Sequence, residues 1–423
     1  MHHFEYRNGE MFAEAVPLKK IAKEVGTPAY VYSLATLKRH FRVFDQAFAA
    51  VPHIVCFSVK ANSNIALLKA FAKEGSGFDI VSGGELFRAL KAGGDPQKIV
   101  FSGVGKKREE IEYALDSGIL MFNVESEQEL VALNEIAAGA GKRAPISLRV
   151  NPDVDPQTHP YISTGMKKSK FGVDIKKSLE TYRKAVALPN VDVVGVDCHI
   201  GSQLTSVTPF VDALAKVREY LERVLVGEMR KEGTQIRYLD LGGGLGINYH
   251  DETPPSPDEY AKAIIEGLEG LDVTLILEPG RVIVGNAGIL VTEVQYLKET
   301  DTKKFVIVDG GMNDLIRPAL YGSYQAIQPV AENKAENIVA DVVGPICESG
   351  DFFAKDREIA RPKRGDLLAV MSAGAYGFTM ASNYNSHPKP PEILVDGDKY
   401  YVIRKRETLE DLINGEVIPQ ILQ

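Results

Sequence analysis

From residue 54 onward the apolar positions fall into a repeating alternation. A short run rich in β-branched or aromatic residues closes on polar residues or glycine, and a segment with helical spacing follows. Runs of the first kind cover 54–59, 77–81, 99–102, 119–124, 146–150, 193–198, 236–241 and 274–277; helical spacing is clearest over 65–73, 85–92, 126–138, 178–187 and 209–229. The runs are almost continuously apolar, which predicts strands covered on both faces. Strands that alternate with helices pair in parallel through right-handed crossovers. Eight such units predict an α/β fold, a (β/α)8 TIM-type barrel, ahead of an open doubly wound sheet.

Beyond residue 285 the texture changes. Runs at 282–297, 304–309, 336–343, 366–370 and 399–404 read as strands punctuated by Gly, Pro, Asn and Asp, and helical spacing is scarce until 408–414. This predicts a C-terminal all-β domain, antiparallel, a barrel or a sandwich. The early run Ala29-Tyr30-Val31-Tyr32 is assigned to the same domain, which therefore takes the N-terminal segment. The expected division is 36–285 for the barrel, and 1–35 with 286–423 for the β domain.

Composition narrows the class. A chain of 423 residues exceeds what one core supports, so two domains fit. Apolar residues at 44% and charged residues at 25% are ordinary for a globular protein and argue against disorder. The net charge of −8 comes without a basic stripe, and the cluster at 167–170 reads as a solvated loop, so nucleic acid is not an expected partner. No apolar stretch reaches the roughly 18 residues of a membrane span, and residues 1–7 hold no signal-like run. The three cysteines Cys56, Cys198 and Cys347 lie far apart, which suits a reducing cytoplasm and argues against a disulfide or zinc scaffold. No metal site is expected.

In a barrel of this type the chemistry sits at the carboxyl ends of the strands. The first strand ends in Phe57-Ser58-Val59-Lys60-Ala61-Asn62. An ammonium there needs a carboxylate partner, a route to solvent or a covalent role such as Schiff-base formation. The sixth ends in Cys198-His199-Ile200-Gly201-Ser202-Gln203, where the imidazole is either structural or catalytic. The seventh ends in Asp240-Leu241-Gly242-Gly243-Gly244-Leu245-Gly246. Its glycines form either a tight turn or a backbone cradle for an anion, and no nucleotide-triphosphate motif follows. The eighth ends in Leu277-Glu278-Pro279-Gly280-Arg281, which offers a buried carboxylate and a guanidinium that pair with each other or clamp a ligand. A lysine, a phosphate cradle, a carboxylate and an imidazole around one barrel mouth suit pyridoxal 5'-phosphate (PLP).

In these segments the chain resembles the alanine-racemase-like, fold type III, PLP-dependent decarboxylases. Residues 151–154, 158–165 and 170–172 make it similar to the members of that family that act on meso-diaminopimelate. The resemblance runs over nearly the whole chain. It implies that Lys60 carries PLP as a Schiff base and that His199 lies over the pyridine ring. Gly242, Gly243 and Gly244, with the backbone at Gly280 and Arg281, would hold the phosphate; Asp79 and Ser202 join the cofactor set. Glu278 would keep the pyridine nitrogen protonated. Arg281, Arg317 and Tyr321 would bind the retained carboxylate, and Tyr376 would touch cofactor and substrate. Glu348 and Cys347, the second an expected proton donor alongside Lys60, would come from the partner of a homodimer with shared active sites. Ser58 departs from the small apolar residue frequent two places before the lysine. The implied reaction turns meso-2,6-diaminopimelate into L-lysine and carbon dioxide, the last step of lysine biosynthesis.

The competing readings are another fold type III enzyme (an ornithine- or arginine-type decarboxylase, or an amino-acid racemase), a non-catalytic PLP carrier, and a phosphate-binding barrel enzyme without PLP. A carrier would not need Arg317, Tyr321, Cys347 and Glu348 in a β domain. Ornithine- and arginine-type enzymes need an acidic site for a distal cation, whereas two arginines suit a diacid.

Overall fold

The computed structural model describes residues 2–154, 170–221 and 235–423. The motif at 158–165, most of the basic cluster and the end of the 209–229 stretch lie outside the described residues. The chain forms two compact units, Lys38–Ile283 and Met1–Leu37 with Val284–Gln423.

The first unit is the predicted barrel. Its strands are His53–Ser58, Gly77–Ile80, Ile99–Phe101, Met121–Val124, Ala144–Asn151, Val191–Asp197, Tyr238–Asp240 and Thr274–Leu277. Each pairs in parallel with the next, and the eighth returns to the first through Leu275 beside His53, which closes the sheet. Cys56, Val100, Met121, Val194 and Ile276 pack into one cluster of buried side chains within it. Five of its helices start where the sequence supplies a cap. Asn64, Ser82, Ser126, Asp174 and Ser256 each accept a hydrogen bond from the first turn of the helix they precede. Arg108–Ser117 and Pro257–Leu268 of this unit were not evident from spacing, nor was Leu34–Ala47, most of which belongs to it. In the first, just Ile111, Ala114 and Leu115 are buried, a stripe too narrow to stand out among its charges.

The second unit is β-rich. Strands 352–360, 337–343, 304–308, 288–299, 29–33, 392–396 and 399–404 form one sheet in that order, with 367–370 paired to 288–299 and to 327–329. The run Ala29–Ser33 joins it as expected, antiparallel to Gly288–Glu299. Phe4–Arg7, Glu10–Ala13 and Val16–Pro17 make a small separate sheet.

Two expectations are corrected. The sheet is mixed, because 304–308 pairs in parallel with 337–343, and 29–33 in parallel with 392–396. Both pairs are joined by long stretches of chain, which permit a parallel return where a tight hairpin does not. The strand expected from 282 begins at Gly288; Arg281–Val284 and Gly285–Ala287 are short helical turns. Ile283, Val284 and Ala287 are buried, and a short buried apolar run reads alike as helix or strand.

Candidate active site

Lys60 stands on a single 3-10 turn, Val59–Ala61, that follows the first barrel strand. Its Nζ lies 2.7 Å from Asp79 Oδ2. Asp79 is fully buried, whereas 38% of the Lys60 side chain is exposed, so the ammonium has both a partner and a way out. Ser58 and Asp79 are register neighbours on the first two strands. The Ser58 hydroxyl sits 2.8 Å from Asp79 Oδ2 and 2.9 Å from the Glu278 carbonyl oxygen, and so ties the first, second and eighth strands together. This gives the unexpected serine a structural occupation. The other carboxylate oxygen of Asp79 is buried and has no hydrogen-bond partner among the described residues.

Glu278 follows the eighth strand and is buried. The Ser102 hydroxyl approaches its Oε1 at 3.3 Å and Asn123 Nδ2 at 3.4 Å. Asn123 Nδ2 also lies 3.2 Å from Asp240 Oδ2, and the Ser147 hydroxyl donates to Asn123 Oδ1 at 2.5 Å. Asp240 accepts the Gly242 N–H at 2.8 Å and shares a hydrogen bond with Glu278. Burial, then the charges of Asp240, Asp79 and Asp197, holds Glu278 well above the usual carboxylate range. Burial also lifts Asp240 to about 6 and Asp197 well above its ordinary value. Carboxylates outnumber the buried cations here, an environment suited to a bound cation.

Arg149, from the fifth strand, answers part of this charge. It donates to Glu125 Oε1 at 2.9 Å and to the His199 carbonyl at 3.4 Å, with Asp197 Oδ2 3.9 Å from its Nε. The Gly243 N–H donates to His199 Nδ1 at 3.2 Å. An accepting Nδ1 means a neutral ring with its proton on Nε2. Burial, reinforced by Arg149 and Lys60, pushes the imidazole pKa well below its usual value, in agreement.

The glycines after the seventh strand are required by close approach. A Cβ at Gly243 would stand 2.2 Å from the Glu278 carbonyl oxygen, at Gly242 2.4 Å from His199 Nδ1, and at Gly244 2.5 Å from the Gly201 carbonyl oxygen. Gly242 and Gly244 also have φ of 64° and 114°, a region side chains disfavour. The loop is thus pressed between those after the sixth and eighth strands. Arg281 follows the buried Gly280 and donates to Tyr249 Oη at 2.6 Å and to the Ser202 hydroxyl at 3.1 Å.

Lys60, Asp79, His199, Ser202, Gly242, Gly243, Gly244, Glu278, Gly280 and Arg281 therefore gather at one end of the barrel unit. The other expected residues lie in the second unit, Arg317 and Tyr321 on the short helix Arg317–Tyr321 and the rest in loops. Arg317 is buried and stands over the Tyr321 ring at 5.7 Å. Cys347 and Glu348 are exposed on the turn after strand 337–343, and the Cys347 N–H donates to Asn385 Oδ1 at 2.7 Å. Tyr376 holds a left-handed backbone, φ 55°.

Several contributors escaped the sequence reading: Ser102, Asn123, Asp240, Arg149 and Glu125. Their signal was a polar residue inside or beside an apolar strand, which becomes meaningful once the strand is known to be buried. Lys106 was missed too. Its side chain is 1% exposed, with its Nζ 2.8 Å from the carbonyl oxygens of Gly103 and Asn123 and 2.7 Å from Glu129 Oε1. Three acceptors satisfy its three donors, the pattern of a structural ion. Among the described residues no group of three or more His, Cys, Asp or Glu side chains is placed to hold a metal ion.

Residues 34–285 match the family model described as the pyridoxal-dependent decarboxylase, pyridoxal binding domain. The chain belongs to the pyridoxal-dependent decarboxylases. A Pseudomonas aeruginosa protein named diaminopimelate decarboxylase is 55% identical over 421 residues, covering 99% of this chain and 100% of its own. Among solved structures, diaminopimelate decarboxylase from Helicobacter pylori complexed with L-lysine superposes with a TM-score of 0.90 at 45% identity, covering 94% of this chain and 98% of that one. The enzyme of that name from M. jannaschii, in co-complex with L-lysine, gives a TM-score of 0.93 at 39% identity over 100% of both chains.

Proposed function

We propose that this protein decarboxylates meso-2,6-diaminopimelate to L-lysine and carbon dioxide, the last step of lysine biosynthesis, with PLP carried on Lys60. The observation that carries the reading is the placement of Lys60 Nζ on buried Asp79 at the mouth of a barrel whose next polar layer is the Glu278 acid cluster. The substrate assignment is supported by end-to-end similarity to proteins named for it and by the lysine complexes of two of them.

The residues present fit PLP. The Asp79 oxygen that has no hydrogen-bond partner among the described residues and the carboxylate surplus around Glu278 suit a cationic pyridine ring, and the glycine loop with the start of the Arg281 turn suits the phosphate. When bound, PLP supplies an electron sink for the pair left behind by the departing carboxylate. Lys60 holds its amine at a fixed place, set by Asp79. Glu278 holds a proton at the ring nitrogen, charge stabilisation arranged before the reaction begins. His199 offers a flat, neutral face that carries no competing charge. Arg281, Arg317 and Tyr321 bind the carboxylate that is retained, and Glu348 and Tyr376 complete the grip on the substrate. Cys347 delivers a proton to the carbon that has lost carbon dioxide, so hydrogen replaces the carboxyl group. In this reading Cys347 and Glu348 come from the second copy in a cytoplasmic homodimer. Among the described residues no helix is long and apolar enough to cross a membrane.

The test is product analysis with diaminopimelate, ornithine, arginine and lysine. Lysine and carbon dioxide from diaminopimelate alone are expected. Turnover of ornithine without diaminopimelate, or racemised product without gas, would overturn the assignment.

A further inference from the structure

In the second unit, two loops with assigned substrate contacts meet on one carboxylate that the reaction does not use. Asp351 is 4% exposed. Its Oδ1 accepts the Met312 N–H at 2.7 Å and its Oδ2 accepts the Ile346 N–H at 2.7 Å. Met312 begins the turn that leads to Arg317 and Tyr321; Ile346 immediately precedes Cys347 and Glu348. The two loops touch closely, since a Cβ at Gly344 would stand 2.5 Å from Gly311 Cα and 2.6 Å from Asp351 Oδ2. A third segment fastens the free end: Asn385 Oδ1 takes the Cys347 N–H at 2.7 Å, and the Ser382 N–H donates to the Asn313 carbonyl at 2.9 Å.

We propose that Asp351 is a positioning residue that locks the Arg317 loop of one active site to the Cys347–Glu348 loop lent to the other. This rests on the reading above, in which each subunit keeps Arg317 and Tyr321 for its own site and lends Cys347 and Glu348 to its partner's. One buried carboxylate then sets the geometry of both sites at once. Replacing Asp351 with Asn puts an NH2 where an N–H donor points, so one of the two clamps is lost and a donor is left unpaired.

Mixed dimers of K60A and C347A chains test it. A heterodimer has one complete site, with Lys60 from the C347A chain and Cys347 from the K60A chain, so an equal mixture regains about a quarter of the wild-type activity. No recovery would sink the shared-site reading itself. D351N on the K60A chain touches the lending loop alone and should lower kcat roughly tenfold or more. D351N on the C347A chain touches the Arg317 loop and should act mainly by raising KM. N385A, a milder variant, should act from the K60A chain and not from the other. A second readout needs no turnover. Cys347 is the one exposed cysteine, with Cys56 and Cys198 buried, so its alkylation by iodoacetamide should accelerate in cofactor-free D351N. Equal effects from both placements of D351N and of N385A, with an unchanged alkylation rate, would overturn the proposal.

Discussion

Asp240 makes the electrostatics of the buried acid cluster measurable. Its carboxyl is raised from an ordinary 3.8 to about 6, chiefly by burial, with Asp79 adding repulsion against hydrogen bonds from Gly242 and Asn123. Because the folded-state value is the higher one, the group costs nothing below pH 3.8. The cost grows as pH rises and is complete above about 6. At about 1.4 kcal/mol per pH unit the gap amounts to about 3 kcal/mol, of which about 1 kcal/mol accrues between pH 5 and 7. Glu278 and Asp197 are shifted in the same direction and steepen the decline. Cofactor-free protein should therefore lose stability across this range, and Asp240→Asn should flatten the slope by at least about 1 kcal/mol. The substitution also weakens local hydrogen bonds, which lowers the whole curve without restoring its slope. Urea unfolding at pH 5, 6 and 7 on both proteins, stripped of cofactor, makes the comparison. Parallel curves would mean that Asp240 ionises in the folded protein as it does in the unfolded chain, and the acid-cluster argument would fail.

Gly243→Ala should weaken PLP binding by about 10- to 100-fold, because the new methyl meets the Glu278 carbonyl at 2.2 Å and the loop must shift. Equilibrium titration of the cofactor-free variant with PLP reads this directly; unchanged affinity would remove the loop from the phosphate site. His199 should stay neutral and protonated on Nε2 from pH 5 to 8, since burial and two nearby cations lower its pKa while the Gly243 N–H occupies Nδ1. Nitrogen NMR of histidine-labelled protein checks it, and an imidazolium signal at pH 6 would contradict the assignment.

Much of the barrel was legible because its strands are short apolar runs, each closed by a polar residue, a pattern that survives without any tertiary information. Lys60, His199, Gly242–Gly244 and Glu278 stood out because they end such runs. What stayed hidden depends on neighbours distant in the chain. Asn123 bridges Asp240 and Glu278 across 117 and 155 positions, and no local pattern announces it. Asp351 reads as an ordinary loop residue until Met312, 39 positions away, is seen to donate to it. The β-rich unit was less legible than the barrel. Strand Phe352–Ala360 carries Lys355, Asp356, Arg357 and Glu358 in its middle, mostly exposed, which masks the alternation. The turn at 281–287 shows the same limit, since a buried apolar run fixes burial and leaves its backbone geometry to the chain around it.

The proposed function depends first on PLP being carried by Lys60. Borohydride reduction of the cofactor-loaded protein, followed by proteolysis and mass spectrometry, tests it most directly. A phosphopyridoxyl group is expected on the peptide that contains Lys60, and Lys60→Ala should lose the label together with diaminopimelate turnover. A label on Lys106, the lysine buried beside the same barrel end, or a Lys60→Ala protein that still binds the label and releases lysine, would contradict it.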